Sequence, residues 1–305
     1  MGTLSDKSGK ALADLIGGFE EHKAAAQQLS DEILPHSVWF RDRIAKITQC
    51  GTFIRLQERD DGSGLQLVAS NLCRLRLCPM CEWRRSLRRF LALAAAVEYL
   101  GSSCAWLHVV LTVPNCTGED LGSTITSLYR RFTAFWRAGV SKDWLGYYRG
   151  LEVTYNANTD EFHPHLHLLV AVKPGYFSGR GYLKQADLQS AWGNIAYVSR
   201  VKDLGQGIAE VVKYACKPLH IDAALTPARA AAVYDVLAAA LHGRRMVQTG
   251  GCVKDALRTC GQLEQLDGDE PTGDQTDRSR PYYEFYWHHV SGKYVPINGQ
   301  KGVWE

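Results

Sequence analysis

Apolar and polar residues in the middle of the chain alternate with two different periods, and each period predicts one type of element. Short apolar runs rich in β-branched and aromatic residues predict strands, whereas apolar residues recurring every three to four positions predict amphipathic helices. The predicted strands are 106–113, 147–155, 162–172 and 195–201, and the predicted helices are 121–137, 186–192 and 208–217. This order predicts an α+β fold with a ferredoxin-like βαββαβ core followed by a helix. In such a core an antiparallel sheet carries its helices on one face.

The residues on both sides of this core predict smaller parts. A helical pattern covers 86–100, after strand-like runs around a group of cysteines. Thr226 and Pro227 predict the start of another helix, because threonine is a good N-cap and proline is tolerated in the first turn; Gly243 predicts its end. Aromatic-rich strands follow at 281–296. The predicted organisation is a loose N-terminal lead (1–35), a cysteine-bearing basic module (36–100), a core domain (101–220) and a C-terminal extension with a helix and an acidic flexible loop (221–305).

Composition narrows the class of protein. The 305 residues are 46% hydrophobic, which is enough for one good core and a second, smaller one. The N-terminus does not have the apolar run of a secretory signal, and no segment reaches the roughly 18 apolar residues of a membrane helix. We therefore expect a cytoplasmic protein with no membrane partner. In a reducing compartment, nine cysteines favour metal binding over disulfides.

Charge is distributed unevenly although the net charge is only +3. Residues 71–90 hold six arginines against one acid, and residues 264–277 hold six acids and no lysine or arginine. A basic body with one acidic loop fits a nucleic-acid binder, while a solvated charged face is the common alternative.

A pair of histidines in the predicted strand 162–172 is the sharpest chemical signal. His165 and His167 are separated by one residue, so both imidazoles project from one face while Leu166 and Leu168 point to the other. Two imidazoles on one face suit a divalent ion that keeps open positions for a substrate oxygen.

Chemistry on a phosphate ester calls for a harder oxygen ligand beside the two imidazoles. Glu152 lies on the preceding strand, and a hairpin turn centred near 159–160 would place it opposite His167, on the same face. A slip of one residue would move it to the other face. Glu161 and His163 are the alternative third ligands, and a solvent-exposed carboxylate is the other interpretation of Glu152.

The predicted helix 208–217 has an apolar stripe and a polar stripe. The polar stripe is Glu210, Lys213, Tyr214 and Lys217. The neighbouring cations favour the phenolate of Tyr214 and can hold a phosphate. Glu210 lies one turn earlier and could take a proton from water as a general base. Taken alone, Tyr214 fits an ordinary surface tyrosine, but beside a metal that polarises a phosphodiester it is a candidate nucleophile.

Closely spaced cysteines predict a structural zinc site. Three cysteines have a knuckle-like spacing, and Cys50, which precedes Gly51, is the best candidate for the fourth ligand. The predicted ligand set is Cys50, Cys73, Cys78 and Cys81. Weaker alternatives are Cys104, Cys116 and His108, and isolated buried thiols are the other interpretation.

Arginines surround this cluster. Arg76, Arg84 and Arg85, together with Arg74, predict a zinc-pinned basic surface that contacts duplex DNA. Trp83 fits packing better than base stacking.

Taken together, the motifs resemble those of the replication initiators of rolling-circle plasmids, the single-tyrosine Rep family within the HUH endonuclease superfamily. The matching segments are CG (50–51), RLCPMCEWRRS (76–86), LTVPN (111–115), HPHLH (163–167) and EVVKYACK (210–217). Their order and spacing agree over roughly 36–220, and the region after 220 is only loosely similar. Val109 and Val110 stand where the family often has another threonine.

The resemblance implies a role for each motif. His165 and His167 would bind Mg²⁺ or Mn²⁺. Tyr214 would cut one strand at the plasmid's double-strand origin and keep the 5′ phosphate. The released 3′ hydroxyl would prime synthesis, so host helicase and DNA polymerase are implied partners alongside duplex and single-stranded origin DNA. Glu210 would activate water to end the round.

Three other classes compete with this interpretation. HUH transposases use two tyrosines a helical turn apart, but Glu210 occupies the position one turn before Tyr214. Conjugative relaxases place the nucleophile ahead of the histidines, near the N-terminus, and the first tyrosine of this chain is Tyr99. A non-catalytic zinc-containing regulator would need the basic surface but not the histidine pair.

Overall fold

The computed structural model describes residues 12–60, 64–139, 142–179, 181–214, 225–266 and 273–297, with the side chains of 12–15 and 213–214 left out. The chain forms two units, Met1–Trp83 with Glu270–Glu305, and Arg84–Asp269. Within the part described, no helix is long and apolar enough to cross a membrane.

In chain order the helices are α1 (Leu12–Gln28), α2 (Ile44–Gln49), α3 (Pro79–Leu100), α4 (Leu121–Arg137), α5 (Gln185–Trp192), α6 (Leu204–Tyr214), α7 (Pro227–Leu241) and α8 (Gly251–Thr259). The strands are β1 (Phe53–Glu58), β2 (Leu65–Ser70), β3 (Ala105–Thr112), β4 (Trp144–Asn156), β5 (Glu161–Val172), β6 (Ala196–Arg200), β7 (Val247–Gly250), β8 (Tyr282–His288) and β9 (Lys293–Pro296). Both sheets are antiparallel, so the predicted α+β class is confirmed.

The first unit is built on a four-stranded sheet with the order β2-β1-β8-β9. Alternation along β8 buries Phe285 and Trp287, as expected for a strand with one covered face. The Trp287 indole donates to Gln27 Oε1 on α1 at 2.7 Å. Helix α1, in the segment expected to be a loose lead, buries Phe19. The strands expected in a C-terminal extension therefore pair with β1 of the N-terminal segment.

The second unit contains a five-stranded sheet with the order β6-β3-β5-β4-β7. The predicted sequence of elements is present, because β3, α4, β4, β5, α5, β6 and α6 follow one another. Helices α4 and α5 of the predicted core pack together, with Phe135 edge-on against Trp192, as expected for core helices that share one face. Helix α6, which follows the core, covers the other face. On one face Phe132 of α4 packs edge-on against Tyr147. On the other, Val211 of α6 shares a buried cluster with Tyr148 and Leu169.

Two helices begin earlier than the apolar pattern predicts. Helix α3 begins at Pro79 rather than at 86, because proline fits a first turn whose backbone N–H groups need no partner. Helix α6 begins at Leu204 rather than at 208. Helix α7 agrees with the capping signals, since the Thr226 side chain accepts from the Arg229 backbone N–H at 3.3 Å.

Part of the loop expected to be acidic and flexible is described, and it is tied to β1. Gln57 Nε2 donates to the Asp277 carbonyl at 2.7 Å, and the Asp277 N–H donates to Gln57 Oε1 at 3.0 Å. Asp274 forms an ion pair with Arg55 at 2.5 Å.

Candidate functional site

The two histidines lie on the central strand of the second unit. Strand β5 pairs with β3 on one side and β4 on the other. Leu166 and Leu168 are fully buried on the face opposite the imidazoles, so the predicted alternation is confirmed. His165 and His167 are themselves only 8% and 5% exposed, which places both imidazoles in a largely water-excluded site.

The register of the β4–β5 hairpin brings the Glu152 carboxylate to the two histidines. The hairpin closes at Asn156 and Glu161, so Glu152 lies opposite His165 rather than opposite His167 as predicted. The turn is centred slightly earlier than expected, which moves the pairing by two residues. A shift of two residues preserves the face, because side chains alternate with a period of two.

The three side chains converge on one point. Glu152 Oε2 lies 2.8 Å from His165 Nε2 and 3.0 Å from His167 Nε2. Burial raises the pKa of the Glu152 carboxyl, but hydrogen bonds from the two imidazoles outweigh it and bring that pKa to about 2. A buried carboxylate oxygen with two imidazole nitrogens within 4.8 Å of one another can hold a metal ion, and this mixed donor set suits a divalent one.

The alternative third ligands lie elsewhere or act differently. Glu161 Oε2 accepts from Asn115 Nδ2 at 3.1 Å at the end of the hairpin. His163 stands on the same face as His165, with ring centroids 4.9 Å apart, but it is outside the converging group. Its backbone carbonyl instead accepts from His165 Nδ1 at 3.0 Å.

A third imidazole, missed as part of this site by sequence reasoning, contacts His167 from β3. His108 Nε2 lies 3.2 Å from His167 Nδ1, and the two rings stack at 17°. The sequence interpretation considered His108 only as a zinc ligand. Its parity in β3, two residues before Val110, which pairs with His167, could have indicated the face that it shares with the histidine pair.

Helix α6 covers the histidine face of the sheet. The predicted apolar stripe is confirmed, since Ile208, Val211 and Val212 are 3%, 0% and 2% exposed. Val211 and Val212 share a cluster with Leu169, which lies two residues beyond His167 and therefore on the same face. Glu210 is half-buried.

The residues at the end of this helix are described only in part. The backbone of Tyr214 ends α6, and the side chains of Lys213 and Tyr214 are outside the description. Lys217 lies outside the described residues altogether.

In the first unit, the four predicted cysteines come together. Cys50 Sγ lies 3.5 Å from Cys81 Sγ and 3.6 Å from Cys78 Sγ, and Cys73 Sγ lies 3.6 Å from Cys81 Sγ. All four sulfurs lie within 4.8 Å of one another. A tetrahedron of metal–sulfur bonds of about 2.3 Å would place its sulfurs about 3.8 Å apart, so the cluster has the size of a single ion site.

The backbone around the cysteines is shaped for this cluster. Positive φ values occur at Gly51 (68°), Arg74 (60°) and Leu77 (70°), which reverses the chain beside Cys50, Cys73 and Cys78. The Cys73 N–H donates to Cys50 Sγ at 3.3 Å and the Arg74 N–H donates to Cys81 Sγ at 3.2 Å. Backbone donors aimed at sulfur favour the thiolate form.

A buried lysine adds a positive charge beside the four sulfurs. Lys23 on α1 is 0% exposed, and its ammonium donates to the Thr48 carbonyl at 2.6 Å. Burial lowers the pKa of Lys23, and the charges of Cys50 and Cys78 oppose that shift. A divalent ion with four thiolates carries a net charge of about −2, which such a cation offsets. The donors and their surroundings therefore fit a thiolate-bound ion.

The zinc alternatives lie outside the cluster. Cys116 Sγ contacts the Phe162 carbonyl at 3.6 Å, and Cys104 interacts with Cys252. His108 belongs beside His167, as described above.

The arginines of this run divide between those that pack against other residues of the chain and those at half-buried positions. Arg88 Nε donates to Gln265 Oε1 at 3.1 Å, and the buried Arg89 donates to the Leu266 carbonyl at 2.9 Å. Arg76, Arg84 and Arg85 are half-buried. Trp83 stacks on His22 and packs edge-on against Phe19, which confirms its packing role.

Comparison with known proteins assigns the family. A family model described as Replication protein matches residues 64–295. The chain is 36% identical over 197 residues to Protein rep of Streptococcus pneumoniae, covering 59% of this chain and 61% of that relative. It is 28% identical over 294 residues to Protein rep of Bacillus amyloliquefaciens, covering 84% of this chain and 86% of the relative. The match with Protein rep of Lactiplantibacillus plantarum is 32% identical and covers 70% of this chain and 73% of the relative.

The first of these relatives is matched over less than two thirds of its length, and no solved structure matches the chain. The family model nevertheless covers more than half of the 305 residues. The chain therefore belongs to the replication protein family, and its resemblance to plasmid replication initiators is confirmed.

Proposed function

We propose that this protein initiates rolling-circle replication of a plasmid by nicking one strand of origin DNA, with Tyr214 as the nucleophile. One observation carries the proposal. Glu152 Oε2 lies within 3.0 Å of both imidazole Nε2 atoms, on the sheet face that the tyrosine-bearing helix α6 covers.

The topology of the second unit supports an HUH-type nuclease core. Strands β6, β3, β5 and β4 are neighbours in that order, and each pair is antiparallel. This arrangement is the one expected of a ferredoxin-like βαββαβ chain. Strand β7 and helix α8 extend the sheet and its cover beyond that core.

The three converging side chains would hold Mg²⁺ or Mn²⁺. When bound, such an ion supplies positive charge beside the scissile phosphate. Glu152, His165 and His167 contribute three donors from one side, which leaves positions on the other side for phosphate and water oxygens. Burial of all three side chains keeps competing water away from the donors.

Tyr214 carries out the strand transfer in this proposal. Its phenolic oxygen attacks the phosphorus and loses its proton as the new O–P bond forms. The bond from phosphorus to the 3′ oxygen breaks and that oxygen takes up a proton, which leaves a 5′-phosphotyrosine and a free 3′ hydroxyl. A host polymerase would extend that hydroxyl, and a host helicase would open the duplex ahead of it.

Glu210 acts later, at termination. It lies one helical turn before Tyr214 on α6, so both can reach the same phosphate. As a general base Glu210 would take a proton from water, whose oxygen then attacks the phosphodiester cleaved at the end of the round, in place of a second tyrosine. The bond from that phosphorus to the 3′ oxygen breaks. A water-terminated round leaves no covalent link behind.

The cysteine cluster and the arginines near it in the sequence would serve DNA binding. We assign structural Zn²⁺ to the four sulfurs, since a closed set of four cysteines is typical of structural zinc. Arg76, Arg84 and Arg85 would contact phosphates of duplex origin DNA. Lys213 and Lys217 would hold the strand beside Tyr214.

The proposal is tested with supercoiled DNA that carries the plasmid origin, in the presence of Mn²⁺. The wild type is expected to nick the DNA and to form a covalent 5′ adduct, and Tyr214→Phe is expected to do neither. Tyr99→Phe, an exposed tyrosine of α3, is the matched control and keeps both activities. An adduct that still forms in Tyr214→Phe would show that another residue is the nucleophile.

A further inference from the structure

We infer that His108 is the positioning residue that holds the His167 imidazole in the orientation and tautomer required for metal binding. The inference rests on the proposed metal site of Glu152, His165 and His167, and it adds a residue from a third strand to that site. It follows from the contact between the His108 and His167 rings and from which nitrogen of His167 faces His108 and which faces Glu152.

The sheet register brings the two rings together. His108 of β3 pairs with Leu169 of β5, and Val110 pairs with His167. His108 and His167 are therefore diagonal neighbours on one face, a separation that long or aromatic side chains can bridge. The ring centroids are 5.4 Å apart and the rings lie at 17°.

Metal binding would fix which nitrogen of His167 carries its proton. His167 Nε2 lies 3.0 Å from Glu152 Oε2, and a metal ion bound by these atoms would need the lone pair of this nitrogen. The proton must then reside on Nδ1, which lies 3.2 Å from His108 Nε2. His108 Nε2 would then accept that hydrogen bond, and such outer partners orient metal-binding imidazoles in proteins.

His165, the other imidazole of the proposed metal site, also has an acceptor at Nδ1, but that acceptor is a backbone carbonyl. His165 Nδ1 donates to the backbone carbonyl of His163 at 3.0 Å, and its Nε2 faces Glu152. Both imidazoles thus place Nε2 near one carboxylate oxygen and Nδ1 near an atom that can accept a hydrogen bond. Only for His167 is the acceptor a side chain, so this half of the site can be changed by mutation.

Two substitutions separate positioning from packing. His108→Gln keeps an acceptor near the position of Nε2, whereas His108→Phe keeps a flat ring against His167 but has no acceptor. A residue that only fills space would tolerate phenylalanine. A residue that accepts a hydrogen bond would tolerate glutamine.

The experiment titrates Mn²⁺ into the full-length protein without DNA and measures the heat of binding by calorimetry. We expect His108→Phe to weaken Mn²⁺ binding about 10- to 100-fold, the usual effect of losing an outer partner of a metal ligand. His108→Gln is expected to stay within about threefold of the wild type. His22→Phe changes a histidine that stacks on Trp83 in the first unit, and it is the control with unchanged affinity.

Each outcome has one meaning. Wild-type affinity in His108→Phe, or equal losses in the Gln and Phe variants, would overturn the inference. If His108→Phe does not fold, as judged by circular dichroism, His108→Leu replaces it as the variant without an acceptor. His165→Ala identifies a failure of the site itself, since unchanged Mn²⁺ binding there would overturn the proposed metal site and this inference with it.

Discussion

The two candidate metal centres draw their ligands from different kinds of structure. The four sulfurs come from positions next to short elements: Cys50 follows α2, Cys73 follows β2, and Cys78 and Cys81 flank the start of α3. Glu152, His165 and His167 stand on two neighbouring strands of a five-stranded sheet. In the first centre a bound ion would join short, separate segments of the chain. In the second the strands already hold the three ligands in place.

The donor sets agree with that difference. Four cysteine sulfurs complete a tetrahedral shell and leave no position for a substrate, as in structural zinc sites. One carboxylate oxygen and two imidazole nitrogens leave positions open, as in catalytic sites. From this difference we expect the sulfur centre, whose ligands lie between elements, to be needed for folding. We expect the centre within the buried sheet to keep its scaffold when its metal is lost.

The largest effect is expected from breaking the sulfur cluster. Cys78→Ser should release the zinc and unfold much of the first unit, because binding of structural zinc contributes on the order of 10 kcal/mol to small domains that depend on it. Metal analysis and circular dichroism measure the two effects. Cys116→Ser, a half-buried cysteine outside the cluster, is the control. Unchanged zinc content in Cys78→Ser would remove the four-cysteine site.

Removing the Glu152 carboxylate tests whether the second unit loses nicking activity but keeps its fold. Glu152→Ala should reduce Mn²⁺-dependent nicking about 100-fold or more, since it deletes the oxygen ligand. The second unit should stay folded, because Leu166 and Leu168 remain buried on the other face. Nicking and circular dichroism are measured together, with Glu161→Ala from the same hairpin as control. Loss of fold in Glu152→Ala would contradict the comparison.

A change in α6, the helix that covers the histidine face of the sheet, should separate two steps of the reaction. In Glu210→Ala, initial nicking should survive while the terminating cleavage by water slows about 100-fold, the usual contribution of a general base. The measurement follows the first nick and the water-cleaved product of a labelled origin oligonucleotide over time. A loss of the first nick would place Glu210 in the attack by Tyr214 instead.

The smallest effect is expected at the buried lysine beside the sulfurs. Lys23→Met keeps an unbranched side chain, one heavy atom shorter, and removes its charge, so zinc binding should weaken about 10-fold as a buried positive charge beside the thiolates is lost. Competition with a chromophoric chelator measures it, and Lys46→Met, an exposed lysine of the same unit, is the control. Equal zinc affinity in both variants would mean that Lys23 only fills space.

Sequence periodicity was sufficient for the features that depend on neighbouring residues. The alternation in 162–172 predicted which side of β5 carries His165 and His167, and the apolar stripe predicted the covered face of α6. These predictions hold because a strand repeats every two residues and a helix every 3.6, whatever packs against them. Cysteine spacing likewise indicated the sulfur cluster, since a metal site of this size restricts the separation of its ligands.

Features that join distant segments were decided only by the tertiary structure. The pairing of β8 with β1 connects strands more than 200 residues apart, and no local pattern specifies such a partner. The partner of Glu152 depended on where the hairpin turns, and the place of His108 depended on the register between β3 and β5. Helices on both faces followed from packing of the whole sheet. By itself the sequence determined which side chains share a face, because backbone geometry is local; the tertiary structure decided which of those faces and atoms meet, because register and packing are not.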